Sequence, residues 1–470
     1  MNCWNIDLLC SLWNVRYKYN VVDGTYYDYL RIIDLNRIKY EQTAQNVLFF
    51  LTYSLDSDVE NGFIIQKFDL REHATEVIKK NSNFTFVIDE ATWERLDSES
   101  KKARIIVVDD ILDSINKLYD YTLQNKKYQV VAVTGSVGKT TAVGLIEAVL
   151  SKKYQVLRIY SKRITPIILK ANIINFLTEQ VEYIVLEMSI YHANHVEVLS
   201  DLLRPDIAAL INIDSSHLEF FKSVADICIH KASIFRYAKV GFVNQLDEIA
   251  KNLHLKNHDL YYENECIYQT NLEQLLPIMI DYQVDNEKII VGKYSIKLSF
   301  LSHLSIVQAL LAYQIGLYCH IDEKDIIQAI EKYKPVENRL VGKMAFGKSI
   351  IFDGDITTNE RIRQLANHLY PVCYLVIRKF GSMENNKRFE YILNYLNKFT
   401  KVFVFSDIEY LDMLKKHPKV IVVDNHDFMK QLDGEIIYHY SGYYRSFQEY
   451  NEKNLIKLEN ERYKIMKPED

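Results

Sequence analysis

The chain has 470 residues, a length that predicts about three domains of ordinary size. Hydrophobic residues at 48% and charged residues at 25% are globular values, and 14 Gly and 7 Pro leave few places for flexible linkers, so a disordered chain is excluded. A net charge of -5 supplies no basic field for nucleic acid or an anionic membrane.

The six cysteines (Cys3, Cys10, Cys228, Cys266, Cys319 and Cys373) show no C-x-x-C spacing, which favours a reducing compartment over disulfides or zinc. The opening "MNCWNIDLLCSLWNV" carries Asp7 inside its apolar run and no basic leader, unlike a signal peptide. No apolar run reaches the length of a membrane span. The expectation is a soluble, cytoplasmic, monomeric protein without a nucleic-acid partner. The 34 tyrosines are scattered along the whole chain and mark no stacking surface.

Residues 1–126 alternate β-rich runs ("VLFFLTY", "FTFVID", "RIIVVDD") with helical patterns such as "LREHATEVIKK", which predicts a small α/β domain. From 127 to 336 the alternation continues with stronger strands: "QVVAVTG", "YQVLRIY", "EYIVLEMS", "DIAALINI" and "VGFVNQ". Strands alternating with helices predict a mostly parallel sheet covered on both faces. Two helices over 301–334 close this domain before Pro335. A third α/β segment, 337–470, has strands near "KSIIFDGD", "CYLVIR", "KVFVFSD", "KVIVVDN" and "EIIYHY", then a charged, helix-like tail.

The strand at 129 runs into T-G-S-V-G-K-T-T, residues 134–141. The general P-loop pattern has a Gly where Val133 stands, but G-x-x-G-K-[ST] arises by chance on the order of once in several hundred such chains. Backbone amides from Gly135, Ser136, Val137, Gly138, Lys139 and Thr140, at the start of a helix, are suited to phosphate oxygens. Thr141 completes the motif. Lys139 supplies a point charge for the terminal phosphates and Thr140 a hydroxyl for Mg²⁺. Glu187 ends the next apolar strand, at the sheet edge where a parallel sheet meets its ligand, and is a candidate metal ligand. Further on, a strand delivers "DSSHLE" with His217 to the same edge, and a helix carries Lys231.

These residues together resemble the Mur ligases, the ATP-dependent amide-forming enzymes of peptidoglycan assembly, with their folylpolyglutamate and cyanophycin relatives. The resemblance spans all three segments and is strongest over 127–245. It is carried by the motif at 134–141, by "VLEMS" and "PDIAALINI", and by "HLEFFKSVADICIHKASIF" and "GFVNQLDE". The His217 to Lys231 spacing is similar to the D-alanyl-D-alanine-adding branch, whereas "ITP" at 164–166 and Ser189 resemble the branch adding the third amino acid. The resemblance implies a three-domain α/β ligase with a Rossmann-like C-terminal domain, using ATP and Mg²⁺. It implies ATP on Gly135 to Thr141, the first metal on Thr140 and Glu187, the second on His217, and a carbamylated Lys231 among the metal ligands. Lys139, His217 and Lys231 are its catalytic set. Arg339 in "ENRL" and Asp353 in "IIFDGDITTN" correspond to nucleotide contacts, and Gly381, Met383 and Glu384 to a C-terminal motif. The implied reaction joins a small-molecule amine to a carboxylate, such as a UDP-linked muropeptide, through an acyl phosphate.

The departures are specific. The family's adenine-holding H-N-x-x-N falls in "FLSHLSIVQALLA" without either Asn, leaving Ser305 or Gln308 as substitutes. The K-G-S-R strand end appears as "YHYSGYYRS" without its Lys, and the N-terminal D-S-R only as "IIDLNRI". An amide ligase of another pathway, or a nucleotide-binding relative without catalysis, is therefore kept beside the main reading. A P-loop kinase or GTPase is weaker, since no N-K-x-D guanine signature is present.

Overall fold

The computed structural model describes residues 2–32, 44, 46–64, 67–124, 127–159, 161, 164–214, 220–278, 281–285, 288–298, 302–334, 341–345, 348–352, 366, 372–378, 393–408, 411–430 and 437–441. The chain separates into two compact units: 1–132 with 154–207 and 233–238, and 133–153 with 208–232 and 239–470.

The first unit contains a five-stranded sheet of β1 (Val15–Tyr19), β2 (Tyr29–Arg31), β3 (Val47–Phe50), β4 (Thr85–Asp89) and β5 (Arg104–Val108). Its order is β1-β5-β4-β3-β2, with only the β1–β5 pair antiparallel. Strands β3, β4 and β5 are buried along nearly their whole length, as apolar runs in a covered parallel sheet are. Phe49, Phe86, Ile88, Ile105 and Val107 make one core cluster, with Ala74 and Ile78 of the helix Ala74–Lys80 against it. The same unit holds β6 (Gln129–Thr134) through residue 132, β7 (Val156–Ile159) and β8 (Tyr183–Glu187), with neighbours in the order β6-β8-β7 and β7 parallel to β8.

Within this unit the N-terminal segment is stitched to the helix Pro166–Phe176. Thr165 caps that helix and Pro166 sits in its first turn. Near its far end, Asn175 acts as a piece of strand for β2: Leu30 donates to Asn175 Oδ1 at 2.9 Å, and Nδ2 donates to Leu30 O at 3.0 Å. Asn2 donates through Nδ2 to the carbonyls of Ile174 and Leu177, satisfying end-of-helix acceptors that have no intrahelical partner.

The second unit begins where β6 ends. It contains the helices α1 (Lys139–Leu150) and α2 (Val224–Ala232), with β9 (Ile207–Leu210, from residue 208) and β10 (Val240–Val243). Helices α3 (His303–Tyr318) and α4 (Glu323–Lys332) follow. Here β10 is parallel to Gln274–Pro277 and neighbours β9. Helix α3 lies against α1, and the approach is close: a Cβ on Gly316 would stand 2.7 Å from Val149. A glycine in a helix interior costs about 1 kcal/mol relative to Ala, and this contact accounts for its presence.

A third sheet, Val341–Ala345, Lys348–Phe352, Ile437–Ser441, Cys373–Ile377, Lys401–Phe405 and Val420–Val423 in that spatial order, opens on an antiparallel pair and is otherwise parallel. Cys373, Leu375, Val402 and Val404 pack with Leu396 and Phe399 in its core. All the strands expected in the three α/β segments are present, and the α/β class with three sheets holds. One stretch differs. On either side of the parallel strand Gln274–Pro277 the alternation gives way to two small three-stranded antiparallel sheets, Leu253–Lys256 with Asp259–Tyr262 and Glu265–Gln269, and Gln283–Asp285 with Lys288–Val291 and Tyr294–Lys297. The charged tail lies outside the described residues. Among the described residues no helix is long and apolar enough to cross a membrane, and all six cysteines are free.

Asn175→Ala is expected to lower the unfolding free energy of the first unit by about 2 kcal/mol or more, because it leaves the Leu30 N–H and C=O buried without partners. Chemical denaturation followed by tryptophan fluorescence checks this, since Trp4, Trp13 and Trp93 all lie in that unit.

Candidate functional site: a clamped phosphate loop

The loop between β6 and α1 turns on two glycines. Gly138 caps α1 in the left-handed region at φ 83°, and a Cβ there would stand 2.3 Å from Gln308 Nε2. Gly135 passes so close to β9 that its Cβ would meet Ile211 at 2.6 Å. Residue 138 thus starts the helix and leaves its first-turn amides pointing out of its N-terminus, the positive end of its dipole.

Four side chains hold the loop's peptide groups. Asn212, two residues beyond β9, accepts from the amides of Ser136 and Val137 at 2.9 Å each and donates to Val137 O at 2.9 Å. Gln308 of α3 donates to Gly138 O at 2.8 Å. Lys139 folds back on its own loop and donates to Gly135 O at 2.8 Å and Ser136 O at 3.2 Å. Lys231 of α2 donates to the same Gly135 O at 2.9 Å. Asp214 N–H adds a bond to Ser136 Oγ at 2.8 Å.

Lys231 is 1% exposed. Burial, and secondarily the charge of Lys139, hold its amine well below the usual lysine range. An unprotonated amine keeps a lone pair and is a nucleophile, which an ammonium is not. The buried Cys228, one turn earlier on α2, has its thiol pushed up by burial in the same apolar surroundings.

Beside the loop lies a cleft of about 470 Å³, bounded by Ile211, Asn212, Leu246, Tyr282, His303 and Val307. Its floor is fixed. Asp247 accepts from the amides of Ile213, Ile249 and Ala250, and Asn244 bridges Ile211 O and Leu246 N.

The sequence-expected residues fall into three groups. Gly135, Ser136, Val137, Gly138, Lys139, Thr140, Thr141 and Lys231 come together in the second unit. Glu187 ends β8 in the first unit, where it is buried. His217, Arg339, Asp353, Gly381, Met383 and Glu384 lie outside the described residues. Among the described residues no group of three or more His, Cys, Asp or Glu is gathered for a metal.

Two expectations meet a difference. The amides of Ser136 and Val137, expected to face phosphate with the rest of the loop, bond to Asn212 Oδ1 here. Ser305 and Gln308, the substitutes for the adenine-holding asparagines, are engaged elsewhere. Ser305 forms a reciprocal capping box with Ser302, and Gln308 holds the loop. The residue the sequence reading passes over is Asn212. Its signal is a polar residue at the end of an otherwise apolar strand, "DIAALIN".

A parallel α/β core ending in a glycine-turned phosphate loop defines a P-loop nucleotide-binding fold. Residues 133–312 match the Mur ligase middle domain. The chain is 29% identical over 166 residues to a UDP-N-acetylmuramoyl-tripeptide–D-alanyl-D-alanine ligase of Rickettsia prowazekii. That match covers 33% of this chain and 37% of the relative, so the similarity spans little more than a third of that ligase. In fold it is similar to MurF from Acinetobacter baumannii, with TM-score 0.68, 15% identity and coverage of 97% of this chain and 99% of that one. The MurF ligase from Thermotoga maritima in complex with ADP gives TM-score 0.63 at 19% identity, covering 87% of this chain and 96% of that one.

The buried Lys231 sets a pH dependence. The unfolded chain keeps a proton on this lysine up to its ordinary value of 10.5, whereas the native chain releases it at lower pH. Between those two values unfolding takes up a proton, so stability rises with pH across the window. Urea midpoints measured from pH 7 to 10 are expected to rise more steeply for the wild type than for Lys231→Met, which has no group to titrate.

Proposed function

We propose that the protein is an ATP-dependent carboxylate–amine ligase of Mur type, with domains 1–126, 127–336 and 337–470 for the carboxylate substrate, for ATP, and for closure over ATP with delivery of the amine. The observation that carries this is the convergence of Lys139 and Lys231 on one carbonyl of a loop that opens the helix α1. A lysine wholly buried beside a phosphate loop, with its amine held well below the usual lysine range, has no role in a simple nucleotide-binding module.

In this reading the triphosphate lies against the first turn of α1. Lys139 exchanges its bonds to Gly135 O and Ser136 O for the terminal phosphates, and the cleft lined by Leu246, His303 and Val307 receives the base. Thr140 would hold one Mg²⁺, and Lys231, once modified, would serve a second; Glu187 and His217 are the further ligand candidates that the sequence pattern supplies. A few protein oxygens completed by phosphate oxygens is the donor set that Mg²⁺ takes. Such a metal would neutralise charge on the phosphates. The unprotonated Lys231 adds to carbon dioxide, losing a proton to give a carbamate whose oxygens suit Mg²⁺. The carbamate nitrogen keeps one N–H, so the bond to Gly135 O survives the modification.

The carboxylate oxygen attacks the γ-phosphorus and ADP leaves. The amine nitrogen then attacks the acyl carbon, a proton is lost, and phosphate departs from the new amide. Fixed donors at the loop stabilise the first step without reorganising, and exclusion of water protects the acyl phosphate. The names of the relatives favour a UDP-N-acetylmuramoyl-peptide as carboxylate and an amino acid or dipeptide as amine. The protein acts as a monomer in the cytoplasm.

A second reading, an amide ligase whose carboxylate carrier lacks a uridine diphosphate, is favoured by the strand ends of the first sheet. Asp69 and Asp89 there pair with Arg71 at 2.6 and 2.9 Å, and Glu90 and Asp109 both pair with Arg16. Both of these guanidinium groups are already engaged by carboxylates and offer a diphosphate little free charge.

Lys139→Ala is expected to abolish amino-acid-stimulated phosphate release while leaving the melting temperature within a few degrees of wild type, because the side chain serves a loop and not the core. Amide formation retained by this variant would overturn the ligase reading. Calorimetry with UDP-N-acetylmuramoyl-peptide separates the two substrates: binding supports the peptidoglycan precursor, and its absence in a protein that still binds ATP with Mg²⁺ supports the second reading. Lys231→Ala is expected to lose activity and to regain part of it with added short-chain carboxylates, which replace the carbamate oxygens.

A further inference from the structure

We infer that Asn212 is the positioning residue of the phosphate loop, clamping Ser136 and Val137 so that the ligand is met by the first turn of α1. For its ligand the inference rests on the nucleotide reading above; the clamp itself is a property of the chain alone.

The geometry is that of a missing strand. One planar carboxamide satisfies both the N–H and the C=O of Val137, as a neighbouring strand would, and its oxygen also takes the amide of Ser136. The backbone closes the same gap: Asn212 O accepts from Ser136 N at 3.0 Å, and Asp214 N–H donates to Ser136 Oγ. The loop and the segment leaving β9 are therefore joined at both ends of one residue pair. Only Asn offers this combination at this length. Asp has the acceptors but sets a carboxylate against Val137 O, Leu has the volume without polar atoms, and Gln is one methylene too long for a side chain that is 5% exposed.

The clamp decides which donors face the ligand. With Ser136 and Val137 committed sideways, and Gln308 fixing Gly138 from the other flank, the loop cannot collapse onto the helix start. The opposite view, that the carboxamide oxygen merely occupies an anion nest until phosphate displaces it, leaves the donated bond to Val137 O unexplained. An anion mimic has no need to donate.

The test compares wild type, Asn212→Leu and Asn212→Asp by ADP calorimetry and by amide hydrogen exchange at Ser136 and Val137 without nucleotide. Expected are slow exchange at both amides in the wild type, fast exchange at Val137 in Asn212→Leu, where Ser136 keeps its backbone bond to residue 212, and an ADP Kd raised at least tenfold in Asn212→Leu. Asn212→Asp, which keeps two of the three side-chain bonds, falls between. Should Asn212→Leu fail to fold, Asn212→Asp carries the comparison. ADP affinity equal to wild type in the folded variants, or tighter binding on removal of the carboxamide, overturns the inference. A wild type that binds no ADP overturns the nucleotide reading instead, and the exchange rates then decide the clamp alone: protection at Val137 that survives Asn212→Leu refutes it.

Discussion

The carbonyl of Gly135 is the point on which the rest of the site depends. It accepts from Lys139 and Lys231 at once, and two ammonium groups on one oxygen would repel each other in a place where water cannot screen them. Burial answers the conflict on one side: desolvation, and secondarily the charge of Lys139, hold the amine of the wholly buried Lys231 well below the usual lysine range. One backbone oxygen thereby sorts two identical side chains into different environments, and a division of labour at the site follows from it.

That sorting needs a rigid loop, because a shift of an ångström would let one lysine escape. The rigidity comes from outside the motif. Asn212 reaches in from the end of β9, Gln308 from α3, and α3 is brought within reach by Gly316 against Val149. The glycines contribute in a complementary way: each stands where a Cβ would strike one of these supports, Ile211 at Gly135 and Gln308 at Gly138. The motif supplies the chemistry, and its surroundings supply the geometry.

This division explains what the sequence reveals. The loop, its lysine and the strand-to-helix passage are local, so "VTGSVGKTT" is readable without any fold. The strands of all three sheets are equally legible, because strands buried on both faces are continuous apolar runs. The Asn212 clamp is not local. It spans 76 residues to Ser136 and exists because the segment leaving β9 runs beside the start of the loop, as the bond from Ile211 N to Thr134 O attests. The antiparallel ribbons at 253–297 escaped for another reason. Their first turn places Asn257 and His258 at positive φ, a hairpin turn usually announced by Asn-Gly, and here the second signal residue is a histidine. Gln308 was noticed for the adenine and found on the loop, since a helical residue's face is not settled until its neighbour helix is known.

The stitch between the chain's beginning and the helix Pro166–Phe176 imposes an order on biosynthesis. Asn2 is bonded to Ile174, 172 residues later, and Leu30 to Asn175. At translation rates of about 5–20 residues per second, the partners emerge roughly 7–34 s after the residues that await them. Throughout that interval β2 lacks the amide that completes it and sits at the margin of its sheet with its hydrogen-bonding groups open. A nascent chain of this kind is at its most vulnerable to strand pairing with a neighbour on the same polysome before the helix has left the ribosome. The interval is a natural point of entry for a chaperone.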